Sequence, residues 1–452
     1  MESTVATPSK SASNFFVRST AVRGVLWTVA TFGSLQVLRF GSNLILTRLL
    51  IPEFFGLMAL VNSLRMGLDL FSDVGIGQNI IQSPRGDEPS FLNTAWSLQI
   101  VRGVLLWLAC WAIAQPIANF YDTPQLATLI PVVCMTLLFG GLSSTKLHLL
   151  NRKMIFGKAS AIVLSQRLIG LTVTVTWAAI HPSVWALAGG AVASGIYKML
   201  ATHFLLPGAS NRLCWDRSAA REIVSFGKWI FLASIMMFLA EQSDRFILGK
   251  LLSLETLGVF TVAFTLAEIP KQVLKRIGVR VIFPLVSRKA ALPREQLRQM
   301  FLTKRKFMLA GIVLLLLMLV GWGDLLVRFL YDSRYRDAMW ALPILSLGGW
   351  FSALYYTSSP CLLGIGKPHY SAQSNLSRFL SIVVGIPIGF HLFGAVGAIV
   401  AIGLSDLPTY ITIQWGLWRE QLSTLKQDGL FSLAFICLLG FLLLGRIALG
   451  IP

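Results

Sequence analysis

Long apolar runs separated by short polar connections set the plan of this chain. Thirteen stretches of roughly membrane length stand out: 22–46, 54–80, 91–117, 126–147, 159–180, 184–206, 223–251, 257–283, 307–330, 339–363, 376–392, 395–418 and 430–451. A bilayer hydrocarbon core about 30 Å thick needs about 20 residues of α-helix to cross it. Inside lipid every backbone N–H and C=O must be satisfied within the segment, so each run is predicted as a helix. The expected fold class is an all-α integral membrane protein.

The pattern also repeats. The first segment leads into Arg48-Leu49-Leu50-Ile51-Pro52-Glu53-Phe54-Phe55-Gly56, and the seventh leads into Lys250-Leu251-Leu252-Ser253-Leu254-Glu255-Thr256-Leu257-Gly258. In both, a basic residue is followed by a Glu five positions on and a Gly three beyond that. A second echo pairs Trp185-Ala186-Leu187-Ala188-Gly189-Gly190-Ala191 with Ala395-Val396-Gly397-Ala398-Ile399-Val400-Ala401. Six segments form one repeat unit, and duplicated sets of spanning helices are a common plan of secondary transporters. The expected organisation is a cytoplasmic tail over 1–21, an N-terminal lobe over 22–206, a cytoplasmic linker over 207–222, a C-terminal lobe over 223–418 and an added thirteenth helix over 430–451. The two six-helix lobes are parallel repeats around a central cavity.

Composition agrees with this plan. At 55% hydrophobic and 13% charged residues, with mean hydropathy +0.69, the chain has too little polar surface for a soluble fold of 452 residues. Charge then orients it. The 39 Lys and Arg against 20 Asp and Glu give a formal charge of +19. With the N-terminus placed inside, the outer connections hold only Arg48, Arg334 and Arg336, and the other loop cations fall on the cytoplasmic side. This asymmetry predicts a cytoplasmic N-terminus in the inner (cytoplasmic) membrane. It also makes anionic lipid headgroups, rather than nucleic acid, the partner of the basic loops. The densest of these, from Arg288 to Lys306, is expected on the membrane surface.

Several chemistries find no support. Cys110, Cys134, Cys214, Cys361 and Cys437 show no paired spacing, and four lie in apolar segments, so neither a disulfide framework nor a zinc site is expected. Gly364-Ile365-Gly366-Lys367 runs into Pro368 and lacks the spacing and hydroxyl of a phosphate-binding P-loop. No catalytic residue, metal ligand or cofactor is assigned.

The informative residues are charges inside the apolar runs, where each costs several kcal/mol or more and marks a candidate functional position. Arg65, Asp69 and Asp73 follow at spacings of four on one face of segment two; Glu268, Lys271 and Lys275 cluster around Pro270 in segment eight. Arg39, Arg102, Arg167, Glu241, Asp244, Arg245 and Asp406 complete the set. One reading makes them structural ion pairs, since Arg65 with Asp69 or Glu268 with Lys271 can pair within a helix. Arg39, Arg102 and Arg167 have no carboxylate on their own helical face and need one from another helix or from a ligand. The excess of cations favours an anionic ligand, and phosphate or pyrophosphate suits Arg geometry. Arg39, Arg65, Arg102, Arg167, Lys271 and Lys275 are therefore candidates for substrate binding, and Asp69, Asp73, Glu241 and Glu268 for ion or proton coupling.

Glu241-Gln242-Ser243-Asp244-Arg245-Phe246-Ile247-Leu248-Gly249-Lys250, then Leu257-Gly258-Val259-Phe260 and Phe283-Pro284-Leu285-Val286-Ser287-Arg288, resemble the second-half signature of Wzx-type oligosaccharide flippases. Arg48 to Gly56, Asp73-Val74-Gly75-Ile76 and Asn151-Arg152-Lys153-Met154-Ile155-Phe156 are similar to the first-half pattern. The resemblance spans about residues 20 to 420 and singles out Arg48, Gly56, Asp244, Arg245, Lys250 and Gly258 as motif positions. It implies a polysaccharide transporter of the superfamily that also holds multidrug exporters and the lipid II flippase. Such a protein moves polyprenyl-pyrophosphate-linked oligosaccharide outward by alternating access, for surface polysaccharide synthesis and its polymerase. Two alternatives stand beside it. A drug exporter of the same fold would want an acidic cavity. A membrane polymerase or ligase would want a larger outer loop than the longest one here, Tyr331 to Trp340.

Overall fold

The computed structural model describes residues 30–449 apart from 32, 73–74, 154, 209 and 279–281. The expected tail over 1–21 and part of the first segment lie outside the described residues, as does Asp73. Among the described residues the regular structure is helical throughout: α1 (33–49), α2 (Pro52–Phe71), α3 (Ile76–Gln82), α4 (Pro89–Phe120), α5 (Gln125–Leu142), α6 (Lys146–Arg152), α7 (Phe156–Ile180), α8 (Val184–Phe204), α9 (Arg217–Leu251), α10 (Leu254–Ile277), α11 (Phe283–Arg288), α12 (Arg294–Leu330), α13 (Ala338–Gly364), α14 (His369–Leu404), α15 (Asp406–Arg419) and α16 (Leu425–Ala448), with a 3-10 turn at Ser333–Tyr335.

Ten stretches among the described residues are long and apolar enough to cross a membrane. The thirteen expected from sequence differ for identifiable reasons. The first is only partly described. The seventh, now the continuous helix α9, is likewise only partly described. The eleventh and twelfth run together as His369–Arg419, broken at Phe393 and Gly394, where Gly394 has φ 59° and ψ −146°. Two boundaries also move. Segment two was expected to reach residue 80, but its helix ends at Phe71 and a short helix restarts after Gly75, which has φ 63°. Segment nine starts thirteen residues early, because the basic stretch from Arg294 to Lys306 is the first part of α12.

That last difference corrects the surface placement of one cation. Arg305 is fully buried and pairs with Asp428 of α16, while its Nε donates to Thr357 Oγ1 at 3.1 Å. Tyr410 and Thr424 donate to the same Asp428 carboxylate, each at 2.8 Å, and Gln414 donates to it as well. Near the other end of α16, Arg446 grips Asp324 of α12 with two parallel bonds, at 2.9 and 2.6 Å. The helix that looks appended in the sequence is thus fastened near both ends to α12. Its remaining surface is apolar and open to lipid, with Phe441 80% exposed.

The chain divides into two compact units. One takes in the described residues of Met1–Leu50 with Leu64–Leu232, the other Ile51–Ser63 with Ala233–Pro452. The dividing points fall between α1 and α2, within α2 and within α9. In the first unit α4 packs on α5, α7 on α8 and α5 on α8. Without a hydrophobic drive between helices in lipid, such packing relies on close backbone approach at small residues. In the second unit α13 is the central helix, packed against α10, α12, α14 and α15, and most of its length is buried. Its neighbour α10 starts at a conventional cap: Ser253 Oγ accepts from Thr256 N at 3.2 Å, and Glu255 sits in the first turn.

Candidate functional site

The intramembrane charges sort into two clusters, one in each unit. In the first unit the end of α2 carries Arg65 and Asp69, and α4 brings Arg102 to them. Arg102 Nη2 donates to Asp69 Oδ1 at 2.6 Å and also reaches the Asp69 carbonyl, while Nε donates to Ser72 Oγ at 2.9 Å. Lys198 of α8 lies close enough for its charge to interact with both Asp69 and Arg65. Arg39 of α1 and Arg167 of α7 lie within electrostatic reach of one another. Arg65 also lies within electrostatic reach of the buried thiols of Cys110 and Cys134. Among the described residues this brings three cations, Arg65, Arg102 and Lys198, to one carboxylate, Asp69, while Arg39 and Arg167 lie near one another in the same unit.

The cluster of the second unit is balanced. Lys275 pairs with Glu241 of α9 at 2.7 Å, and Arg245 of α9 approaches Glu268 of α10 at 3.7 Å. Arg245 Nη1 also donates to Gln242 Oε1 at 2.8 Å, which accepts from Ser63 Oγ at 3.0 Å. Lys271 meets Asp406 at 2.8 Å, and Arg378 of α14 meets the other oxygen of the same carboxylate at 3.0 Å. Ser352 of α13 donates to Asp406 too. Asp244 is buried beside this group and interacts electrostatically with Arg378. Among the described residues four carboxylates thus face four cations.

The pairings differ from those the spacing allowed. Asp69 takes Arg102 from α4 rather than Arg65 four residues away. Glu268 takes Arg245, and Lys271 takes Asp406, 135 residues on. Arg102 has the carboxylate from another helix that its own helix could not supply. Lys271 and Lys275, singled out with the substrate cations, are here engaged by Asp406 and Glu241. Lys198 and Arg378 were missed, although the same rule finds them: each stands alone as a cation in an otherwise apolar run. Of the motif positions, Asp244 and Arg245 belong to the second cluster, and Gly56 and Gly258 meet one another. Arg48 and Lys250 close α1 and α9 near their C-terminal ends, where a cation suits the helix dipole. Among the described residues no group of three or more His, Cys, Asp or Glu could hold a metal ion.

The fold is that of a known class of membrane transporters. The lipid II flippase MurJ in an inward closed conformation aligns over 92% of this chain and 92% of its own, with a TM-score of 0.71 at 14% identity. An inward-facing multidrug resistance MATE family transporter of the MOP superfamily aligns over 87% of this chain and 96% of its own, with a TM-score of 0.67 at 14% identity. At such identities the likeness is one of fold. The chain belongs to the polysaccharide biosynthesis protein family, whose profile matches residues 45–340. It is 23% identical over 422 residues to the lipopolysaccharide biosynthesis protein WzxC of Escherichia coli (strain K12), covering 92% of this chain and 85% of that protein. It is 21% identical over 414 residues to the succinoglycan biosynthesis transport protein ExoT of Rhizobium meliloti (strain 1021), covering 91% and 83%. The chain is accordingly a multi-pass membrane protein, of the family its motifs resemble.

Proposed function

We propose that this protein is a flippase that carries polyprenyl-pyrophosphate-linked oligosaccharide from the inner to the outer leaflet of the cytoplasmic membrane by alternating access. The observation that carries this reading is the first-unit cluster, in which Arg65, Arg102 and Lys198 gather at Asp69. A site so charged calls for a polyanion. Arg39, Arg65, Arg102, Arg167 and Lys198 are assigned to the pyrophosphate, for which guanidinium groups offer paired charge-assisted hydrogen bonds. The lipid tail stays in the bilayer, so only the sugar and pyrophosphate need a polar path. An inside-negative potential favours outward movement of the anion by about 2.3 kcal/mol per charge per 100 mV.

In this reading residues 22–206 and 223–418 act as the two lobes, with the N-terminus in the cytoplasm. The balanced pairs of the second unit, Lys275 with Glu241 and Arg245 with Glu268, are exchangeable contacts suited to coupling; Asp69 and Asp73 are the corresponding groups of the first. The delivered units feed a polymerase acting at the outer surface, and the substrate is moved without chemical change. A carrier of cationic drugs is disfavoured by the same cations, Arg65, Arg102 and Lys198. The test uses purified protein in vesicles loaded with lipid-linked oligosaccharide. Transfer to the opposite leaflet with the sugar chemically unaltered is expected; covalent change in the sugar, or transfer of cationic drugs alone, would overturn the reading.

A further inference from the structure

Residues 205–216 join α8 to α9 along the first unit, and the described ones are fastened to it at successive points. Where the segment leaves α8, Lys146 Nζ donates to the carbonyls of His203 at 3.0 Å and Leu206 at 3.2 Å. Asn211 Nδ2 then donates to Thr145 Oγ1 at 2.8 Å. Three backbone N–H groups follow on α4: Arg212 N donates to Asn93 Oδ1 at 3.0 Å, Cys214 N to Ser97 Oγ at 3.1 Å and Asp216 N to Thr94 Oγ1 at 3.0 Å. At the far end Arg85 meets Asp216 at 2.9 Å, and Ser83 Oγ donates to Glu222 Oε1 at 2.6 Å. Donation from every second residue is the pattern of an extended chain with one edge against α4. Its side chains therefore alternate, with Arg212, Cys214 and Asp216 on one face and Leu213 and Trp215 on the other. The apolar face is bare: Leu213 is 75% and Trp215 59% exposed.

The three acceptors, from Asn93 to Ser97, span about 6 Å of helix axis, so the segment crosses α4 at one depth. A membrane span of about 20 residues counted back from Ile117, where the apolar run of α4 ends, stops near Leu98. The crossing thus lies at the level of the lipid headgroups. Exposed apolar surface continues on either side of it, in Phe204 and Leu205 where the segment leaves α8 and in Val101 and Leu105 on α4. Arg212, Arg217 and Arg221 are exposed beside it, the latter two four residues apart on α9, while the nearby carboxylates of Asp216 and Glu222 are engaged by Arg85 and Ser83. An apolar face at headgroup depth, flanked by cations, fits an anionic lipid surface. We infer that the segment between α8 and α9 is an interfacial strap, which lays Leu213 and Trp215 into the leaflet beside α4 and holds anionic lipid phosphates with Arg212, Arg217 and Arg221. This rests on the reading that places residues 207–222 at the cytoplasmic face. Because its backbone is bonded to α4, the strap meets lipid in a fixed pose and loses little freedom on contact.

The test uses the full-length protein in nanodiscs of phosphatidylethanolamine and phosphatidylglycerol, carrying one bimane-labelled cysteine at a time in an otherwise cysteine-free background. The labelled positions are the native Cys214, Leu213→Cys and Trp215→Cys; the last two are independent, so either suffices should the other fail to fold. Iodide quenches from water, and a nitroxide on a lipid acyl chain quenches from the bilayer. Labels at 213 and 215 should be quenched mainly by the acyl nitroxide, and the label at 214 mainly by iodide. At 215 the nitroxide should quench at least about threefold more effectively when carried by phosphatidylglycerol than by phosphatidylcholine. The combined change Arg212→Gln, Arg217→Gln and Arg221→Gln should remove that preference and keep the acyl quenching. Iodide quenching at 213 and 215 as strong as at 214 overturns the inference, as does equal quenching by the two lipids or a preference that survives the combined change. The orientation is read separately, from reaction of Cys214 with an impermeant thiol reagent in intact cells and in inverted vesicles. Acyl quenching with Cys214 reactive only from outside overturns the cytoplasmic assignment, whereas iodide quenching with Cys214 reactive only from the cytoplasmic side overturns the strap alone.

Discussion

Gly56 and Gly258, the same position in the two copies of the repeated motif, meet face to face. A Cβ on Gly56 would come within 2.1 Å of the Leu254 carbonyl oxygen and 3.2 Å of Gly258 N. A Cβ on Gly258 would come within 1.8 Å of the Pro52 carbonyl oxygen and 3.2 Å of Gly56 N. The reciprocity follows from the repeat: each glycine opens the helix after its own loop, and the two helix starts cross where neither has a side chain.

Because each missing Cβ faces backbone rather than a movable side chain, Gly56→Ala and Gly258→Ala should each destabilise the folded protein by about 1 to 3 kcal/mol or more. Gly311→Ala, at a position with nothing within 4 Å, is the control and should be silent. Thermal unfolding of the detergent-purified proteins reads the difference. Equal transitions for all three variants would mean that the crossing is looser than described.

The first-unit cations should matter singly. A charge-assisted contact to phosphate is worth about 1.5 to 3 kcal/mol, or one to two decades in affinity. Arg65→Ala, Arg102→Ala and Lys198→Ala should each slow flipping by about ten- to a hundredfold at normal membrane levels. Lys271→Ala leaves Asp406 its Arg378 partner, whereas Lys271→Glu places a second carboxylate against it and should be the more damaging. The vesicle assay ranks them; unmodified transfer by the three first-unit variants would remove the cluster from the substrate path.

Arg305 and Asp428 make a buried pair, and removal of one partner leaves an uncompensated charge. Arg305→Met or Asp428→Leu alone should cost about 3 to 5 kcal/mol, and the double variant should recover much of the loss. Both effects appear as shifts of the thermal transition. Additive losses in the double variant would show that the two side chains act independently.

Orientation is open to direct labelling. In a background freed of its five cysteines, a single cysteine at Lys289 should react with an impermeant thiol reagent only from the cytoplasmic side, and one at Arg334 only from outside. The reverse pattern would invert the topology.

Outside the membrane-spanning segments, Asp216 accepts from Ser218 and from Arg85, the latter at 2.9 Å, and these bonds hold its carboxyl down to about 2. A depressed carboxyl contributes stability that is present above its ordinary value and is lost as pH falls through that value toward about 2. Wild type should therefore lose thermal stability over that acid window, and Asp216→Asn should start lower at neutral pH and lose less. Parallel pH profiles would assign the acid sensitivity to other carboxylates.

What the sequence determined by itself is the part governed by local rules. Length and apolarity of each run dictate a helix, because lipid offers the backbone no other partner. The repeat and the loop charges set the plan and the expected orientation, and the ordered motifs named the family. The rule that intramembrane charges are rare pointed to Arg65, Asp69, Arg102, Lys271 and Glu241, and applied evenly it also reaches Lys198 and Arg378. Which charge meets which was decided only by tertiary structure. Asp69 passes over Arg65 on its own helix for Arg102, Lys271 reaches Asp406 across 135 residues, and Arg305 leaves a basic stretch to be buried against Asp428. An ion pair's partner depends on which helix faces approach, and those approaches are set by small residues such as Gly56 and Gly258, whose meeting no local pattern encodes. Packing thus turned one list of charges, among the described residues, into cross-helix pairs in one unit and a gathering of Arg65, Arg102 and Lys198 at Asp69 in the other.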